Sequence, residues 1–360
     1  MQSNQVATIL NSRQSKYPLG KDQWVKSSVE AVRHLQRNNF TLLTSLGMNT
    51  WELTLAIAAQ IELPVLIVVP QSRDDSRYSN DILNRFNLRA DRVRFIFINY
   101  SHSRSKKSWW ADRDEYILEK ADLLFPVSVR PGGRMEQGLD SHSAKVQSQF
   151  RILYDKTVRR RPVYQDIPLN REIMGGNWLI HFTRSTPGPW PGEREIDYYR
   201  RIMSSTDEFC NSAIRTLNHI LDEGTIRAGS RNLRARQKGV SFTVGLRSDP
   251  GMFFRYRPRL VNAYFEPYGI AIDKKAAKKV GIRPVIYGDT ADYKMLKDSE
   301  RPFFQNIGKN DIWREEKEWR YIDNLDLRLF PLGAVRVIIY HAGERRRIKS
   351  RVPFEIISFC

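Results

Sequence analysis

The sequence predicts two domains, an α/β domain built on a parallel sheet followed by an α+β domain. Three observations predict this: apolar strands alternate with helices in the first half, a polar, Arg-rich segment with prolines follows at 151–176, and polar motifs then recur beside apolar runs. With 360 residues, 41% of them hydrophobic, the chain is long enough for two buried cores. We expect the first domain at 1–155, a connector at 156–176 and the second domain at 177–360.

The first half has the regular alternation of an open α/β sheet. The run 63–70 is apolar almost throughout, as strands inside parallel sheets are. Because connections between parallel strands are right-handed crossovers, the alternation predicts a Rossmann-like layer. We predict strands at 39–45, 63–70, 93–98 and 121–127, and helices at 27–36, 51–60, 77–87 and 113–120.

Two loops of this domain stand at carboxyl ends of strands, where ligands bind in such sheets. In the first, Gly47 lets the backbone approach an anion, and Asn49 opens a helix whose N-terminus favours negative charge. The second loop places Gly132 and Gly133 after a strand. A plain helix cap and a plain tight turn are the alternatives. The two loops together predict a phosphate-binding site.

The first half resembles the SLOG/LOG-like family of Rossmann-type domains, over roughly 25–155. The resemblance rests on the strand, Gly-Met-Asn-Thr turn and helix at 39–60 and on the stretch 121–133. It implies that the domain binds a nucleotide or a related ligand. Members that cut nucleoside monophosphates carry a longer double-glycine loop with an acidic partner. This chain has that pattern only in part, which favours a binding or scaffold role.

Three short polar motifs follow one another in the second half, each beside an apolar run that reads as a strand. His181 and Thr183 form a His-x-Thr, Ser241 and Thr243 form a Ser-x-Thr, and a Glu-x-Glu follows at 316–318. Alternate residues of a strand share a face, so Glu316 and Glu318 lie on one side. A carboxylate there would stabilise a developing positive charge and accept a proton. A buried structural histidine and a charged edge strand are the alternatives.

This order of motifs, with the Glu-Gly-x-Ile-Arg stretch at 223–227, resembles the ADP-ribosyltransferase fold over about 177–345. The resemblance is to the branch of toxins that attach ADP-ribose to thymidine in single-stranded DNA. It implies a split β-sheet and NAD as the donor. His181 and Thr183 would then orient NAD, Ser241 would hold the nicotinamide ribose with Thr243 beside it, and Glu318, with Glu316 second, would act on the acceptor. Arg184 and Arg227 are the alternatives for the NAD phosphates.

The charge balance predicts a polyanionic partner. The chain has 59 Lys+Arg against 40 Asp+Glu, a net charge of +19. Guanidinium groups bind phosphates in pairs of hydrogen bonds, and aromatic rings between cations stack on bases. DNA is therefore the expected partner. The family resemblance implies that other proteins of a modification or phage-defence cluster are further partners. The candidate nucleic-acid contacts are Arg255, Tyr256, Arg257, Arg259, Lys106, Lys107, Trp109 and Trp110, and the helix at 273–280 adds four lysines.

Two other functions stay open from the sequence. The first reuses the same fold without NAD to hydrate the nitrile of 7-cyano-7-deazaguanine in DNA, as in clusters that place 7-deazaguanines in DNA. Glu318, Asp289 and Tyr287 would supply acid–base groups, and Cys210 the thiol. The second is a nucleic-acid-binding or sensing component of a defence system without catalysis. No His/Cys/Asp/Glu spacing predicts a metal site, and no apolar run approaches the roughly 20 residues of a membrane span. A cytoplasmic location is expected.

Overall fold

The structure, a computed structural model, describes residues 5–71, 74–98, 106–155, 164, 167, 170–174, 176–229, 233, 237–244, 254, 265–307, 314, 317–349 and 354–360. The chain divides into two compact units. The first unit comprises Met1–Arg159, Pro187–Pro189 and Glu193–Cys210, and the second comprises Arg160–Thr186, Trp190–Gly192 and Asn211–Cys360.

The first unit is a parallel sheet with helices between its strands, which confirms the predicted α/β layer. Among the described residues the sheet has five strands in the order β4-β3-β2-β1-β5, and every pairing is parallel. Its strands are β1 (Val6–Asn11), β2 (Thr41–Ser45), β3 (Val65–Pro70), β4 (Val93–Ile98) and β5 (Leu123–Ser128). Its helices up to residue 141 are α1 (Gln23–Arg37), α2 (Asn49–Gln60), α3 (Asp75–Phe86), α4 (Lys106–Lys120) and α5 (Arg134–Ser141).

Strand β1 was not predicted, although it lies between β2 and β5. Its five residues from Ala7 to Asn11 are buried, so it forms the middle of the sheet rather than an N-terminal tail. The helices α1 and α4 begin earlier than predicted. As a result Trp109 and Trp110, which precede the helix predicted at 113–120, lie in α4.

A buried cation orders the side of the sheet next to α4. The Arg113 guanidinium is 0% exposed, and its Nη2 lies 2.6 Å from Asp114 Oδ1. Its Nη1 donates to the carbonyl oxygen of Leu46 at 2.9 Å. The indole rings of Trp51 and Trp109 lie 5.5 and 5.3 Å from its Cζ. A charge this deeply buried is stable only with such partners.

The segment 193–210 belongs to the first unit, whereas the sequence placed it in the second domain. It contains α7 (Glu195–Ser204), an amphipathic helix that was not predicted. Tyr199 packs in the hydrophobic core of the first unit, and its hydroxyl donates to Glu52 Oε2 at 2.7 Å. Burial of this one apolar face explains why the segment joins the first unit. The buried face consists of Ile196, Tyr198, Tyr199 and Ile202.

The second unit is built on a mixed sheet. In its described part the sheet has seven strands in the order β10-β13-β8-β6-β9-β15-β16, antiparallel except for the parallel pair β15–β16. These strands are β6 (Trp178–Phe182), β8 (Gly239–Val244), β9 (Gly269–Asp273), β10 (Arg283–Pro284), β13 (Glu318–Ile322), β15 (Val335–Ile339) and β16 (Glu355–Ser358). Two short ladders accompany it, formed by β7 (Thr225–Ile226) with β14 (Leu325–Asp326) and by β11 (Ile286–Gly288) with β12 (Phe304–Asn306).

Helices of the second unit cover parts of this sheet. They are α6 (Arg171–Met174), α8 (Ala213–Glu223), α9 (Lys274–Val280) and α10 (Thr290–Met295). Helix α8 begins at an N-cap whose Ser212 hydroxyl accepts from the Arg215 N–H and ends at Gly224, whose φ of 64° is a left-handed C-cap. Its apolar side packs into one core with β6, β8 and β9.

The buried Arg113 gives a prediction for the first unit. Arg113→Met should lower the free energy of unfolding by about 3–5 kcal/mol, because it removes the buried cation that bonds the half-buried Asp114 and the carbonyl oxygen of Leu46. Arg89→Met is the matched control. Arg89 pairs with Glu62 and Asp91 at the surface, so its loss should change stability by about 0–1 kcal/mol. Hydrogen exchange of amides in β1–β5 measures both, and equal protection in the two variants would contradict the assignment.

Candidate functional site

The candidate site is a cavity of about 330 Å³ that lies entirely within the second unit. Its walls come from the ends of β6, β8 and β13, from one side of α8, and from the loop after β6. Volumes of this size hold small molecules or parts of larger ones. All three polar motifs contribute a residue: His181, Ser241 and Glu318 line the cavity.

Ser241 connects the three motifs, because both of its polar groups are used. Its carbonyl oxygen accepts a hydrogen bond from His181 Nδ1 at 2.9 Å. Its hydroxyl donates to Glu318 Oε1 at 2.6 Å. Strand β8 lies between β6 and β13, so one residue of the middle strand holds a side chain from each neighbour.

Glu318 is fixed from behind by Arg320, two residues along β13. The Arg320 side chain is 1% exposed and that of Glu318 is 12% exposed. Arg320 Nε and Nη2 donate to Glu318 Oε1 at 3.2 and 2.9 Å. Its other donors bond the carbonyl oxygens of Pro302 and Phe304 and the side chain of Gln305. The hydrogen bonds that described residues donate to the Glu318 side chain all reach Oε1, which leaves Oε2 as the oxygen that a substrate can meet.

His181 is held as one neutral tautomer. A carbonyl oxygen only accepts, so Nδ1 carries the proton that bonds Ser241 and Nε2 keeps its lone pair. Burial lowers the pKa of His181, and the nearby positive charge of Arg184 lowers it further. The ring packs edge-on against Phe242 at 5.8 Å. At neutral pH His181 therefore offers the cavity an acceptor or base.

The second residue of each of the first two motifs supports the strands. Thr183 is buried, and its hydroxyl donates to the carbonyl oxygen of Ala213 at 2.8 Å, tying the end of β6 to the start of α8. This donor is therefore not available to NAD as the resemblance implied. Thr243 is buried opposite Glu318 in the β8–β13 register and lines the cavity. Arg184 also lines the cavity, directly after β6.

An aromatic and charged wall on the α8 side was not predicted. The indole of Trp190 stacks on the ring of His219 at 4.0 Å and 10°, and its Nε1 donates to Thr216 at 3.1 Å. Glu223 forms two hydrogen bonds with Arg227, at 2.9 and 3.2 Å. The signal in the sequence was the i,i+4 spacing of His219 and Glu223, which places both on one side of α8, whereas Arg227 lies beyond the end of that helix.

Other residues assigned to the chemistry lie elsewhere. Tyr287 accepts a hydrogen bond from the Glu318 backbone N–H at 2.8 Å, so it fixes the start of β13. Asp289 caps α10 by accepting from the N–H groups of Ala291 and Asp292. Cys210 is buried in the first unit and is not among the residues that line the cavity. Glu316 lies outside the described residues.

The predicted nucleic-acid contacts are mostly not described. Arg255, Tyr256, Arg257 and Arg259 lie outside the described residues, as do the side chains of Lys106 and Lys107. Trp109 is 6% exposed and packs on Arg113, so its ring belongs to the core of the first unit rather than to a stacking platform. Trp110 is half-buried beside Gly47.

The two predicted ligand loops of the first unit are closed by glutamates of their own helices. The Gly47 N–H, at a φ of 91°, donates to Glu52 Oε1 at 3.1 Å, and burial raises the pKa of Glu52. The Gly132 N–H donates to Glu136 Oε2 at 2.7 Å. Asn49 and Gly133 hold the turns: the Asn49 amide bonds the carbonyl oxygen of Ser15, and the Gly133 N–H bonds that of Arg130. A phosphate would have to displace the two carboxylates.

The described residues contain no group of three or more His, Cys, Asp or Glu side chains arranged to hold a metal ion. None of their helices combines the length and the apolar character that crossing a membrane requires.

No protein-family model and no curated protein matches the chain. Two solved structures are weakly similar. DNA processing protein A from Helicobacter pylori, described for its single-stranded DNA binding mode, is 11% identical, over 40% of this chain and 64% of that one, with a TM-score of 0.30. An uncharacterized protein from Agrobacterium tumefaciens C58 is 14% identical, over 47% and 68%, with a TM-score of 0.14. The chain thus spans less than two thirds of the first structure, and similarity at this level assigns no function.

The lowered pKa of His181 predicts a pH dependence of stability. An unfolded histidine titrates near pH 6.5, above the folded value, so the unfolded state binds more protons in between. The second unit should therefore lose stability as the pH falls from about 6.5 through the folded pKa. His181→Asn keeps a donor for Ser241 and does not titrate. Its stability should fall less between pH 7 and 5, measured by hydrogen exchange in β6, β8 and β13. Parallel pH curves would contradict this.

Proposed function

We propose that the second unit is an enzyme domain that transfers ADP-ribose from NAD to a base of nucleic acid, most simply DNA, on an ADP-ribosyltransferase-like sheet. The observation that carries the proposal is the bridge at Ser241, which holds His181 by its carbonyl and Glu318 by its hydroxyl at one cavity. The motifs thereby place a carboxylate, a neutral imidazole and a hydroxyl beside the same open volume, which is the combination of groups expected of a catalytic site.

The residues around the cavity fit the parts of NAD. A ribose hydroxyl can donate a hydrogen bond, and His181 Nε2 and the Ser241 hydroxyl oxygen are both available to accept one. The pyrophosphate requires cations, and Arg184 and Arg227 both line the cavity. The Trp190–His219 stack supplies a flat aromatic surface for a ring. NAD would supply the ADP-ribosyl group and nicotinamide as the leaving group.

The proposed chemistry assigns one task to each residue of the triplet. Glu318 faces the reacting ribose carbon with Oε2 and offsets the positive charge that develops there. It then takes up the proton that the base atom loses on bonding to that carbon. Ser241 and Arg320 hold Oε1, so the carboxylate cannot rotate away from the cavity. His181 orients the ribose and stays neutral because of its lowered pKa.

Support for nucleic acid as the acceptor comes from charge. The net charge of +19 attracts polyanions over long distances and makes their binding salt-dependent. The four lysines of α9 form a basic surface beside β13, the strand that carries Glu318. The first unit would bind a nucleotide or act as a scaffold.

The proposal is tested by measuring the masses of the nucleosides in DNA that has been incubated with the protein. Purified protein is incubated with single- and double-stranded DNA, with and without NAD, and the DNA is digested for mass spectrometry. We expect an ADP-ribose mass that depends on NAD. DNA carrying 7-cyano-7-deazaguanine is included: a gain of one water without NAD would replace the transferase by nitrile hydration. DNA binding without any change in mass under all conditions would replace it by a binding or sensing role.

Glu318→Gln tests the assigned residue. It removes the negative charge but keeps the size of the side chain, so turnover should fall by about 10²- to 10⁴-fold with DNA binding unchanged. Glu355→Gln is the matched control. Glu355 is an exposed carboxylate of β16 in the same sheet, paired with Arg336, and its loss should leave turnover unchanged. Turnover retained in Glu318→Gln would remove Glu318 from the mechanism.

A further inference from the structure

Helix α9 carries positive charge on four of its seven residues, at Lys274, Lys275, Lys278 and Lys279. We propose that α9 and the adjacent edge strand β10 bind the phosphate backbone of a nucleic acid strand. The inference deepens the proposed function by locating the surface that holds the acceptor.

The arrangement of these lysines destabilises the free helix. Lys274 and Lys278 are four residues apart, as are Lys275 and Lys279, and like charges at this spacing repel. Lys274 and Lys275 also stand in the first turn, where the helix dipole disfavours cations. The helix dipole favours cations only in the last turn, where Lys278 and Lys279 lie. A bound polyanion would relieve both kinds of repulsion.

The positive charges are not neutralised within the described part of the chain. No carboxylate there lies within 4 Å of the four ammonium groups, and Asp273, which precedes α9 in the sequence, caps the helix by accepting from the N–H groups of Lys275 and Ala276. Lys275, Lys278 and Lys279 are exposed. The Nζ atoms of Lys274 and Lys278 lie 5.3 and 5.8 Å from the ring of Trp319, which holds both on one side.

This surface adjoins the strand that carries Glu318. Trp319 follows Glu318 in β13, so the lysines lie on the face of the sheet opposite to Glu318. Arg283 of β10 pairs with Arg320 in the β10–β13 register and therefore lies on the Glu318 face, where it is exposed beside Phe303. Strand β10 is the edge of the described sheet. Cations thus lie on both faces of the sheet at its β10 edge. A nucleic acid strand would cross this edge to reach the cavity.

A nucleic acid fits this surface better than a membrane does. Binding to a bilayer would require α9 to insert apolar side chains. Its apolar residues are used in the second unit: Ala277 is buried, and Ala276 and Val280 pack against the core. What α9 exposes is charge alone, which suits phosphates.

The test uses a fluorescein-labelled single-stranded 30-mer DNA and the full chain. The variant K274Q/K275Q/K278Q/K279Q should reduce the slope of log K against log salt by about 3, since each released counterion contributes about 0.7 on a single strand. Affinity near 0.1 M salt should fall at least tenfold. The control K16Q/K26Q/R33Q/R37Q removes the same charge from exposed positions of the first unit and should keep the wild-type slope.

A second variant, K275Q/K279Q, guards against misfolding, because both side chains are exposed. It should melt at a higher temperature than the wild type without DNA, since one repulsive pair is removed, and yet bind DNA more weakly. An unchanged slope in the quadruple variant, an equal loss in the control, or binding to phosphatidylserine vesicles instead of DNA would overturn the inference. Absence of turnover in the wild type, with DNA binding lost in the α9 variants, would overturn the proposed function and leave this surface standing.

Discussion

The buried guanidinium of Arg320 is the interaction on which the candidate site depends. Removing a cation from water is unfavourable unless each donor finds a partner, and Arg320 bonds two backbone carbonyls, one amide side chain and one carboxylate. These partners come from the segment 302–305 and from Glu318. The same requirement that stabilises this part of the fold therefore fixes the position of the carboxylate. Glu318 is ordered before any ligand arrives, which is what preorganised catalysis needs.

Strand register then converts distance along the chain into proximity. His181, Ser241 and Glu318 are about 60 and 77 residues apart, yet they stand on three neighbouring strands. A slip of one residue in β13 would turn Trp319 toward the cavity and Glu318 away from it. Close packing also fixes the register of β9 against β6. A Cβ at Gly269 would collide with the carbonyl oxygen of His181, so this position of β9 requires glycine.

The sequence predicted those parts of the molecule that local pattern determines. Apolar runs located β2 to β5 to within a few residues. The local pattern did not predict β1, whose central position depends on pairing with β2 and β5. It also did not predict α7, which joins the first unit through tertiary contacts. It could not show that Thr183 donates to Ala213, nor that Glu52 occupies the Gly47 N–H. These are contacts between elements, and no local periodicity encodes them.

The net charge of +19 says how many cations are in excess but not which of them can meet a partner. Burial and pairing separate them. Arg113 and Arg320 are enclosed and satisfied, so their charges serve the fold. The lysines of α9 repel one another in the free protein, and no described carboxylate pairs with them. A protein tolerates such repulsion where a ligand removes it, so the destabilised helix, rather than the total charge, is the stronger argument for where a polyanion binds.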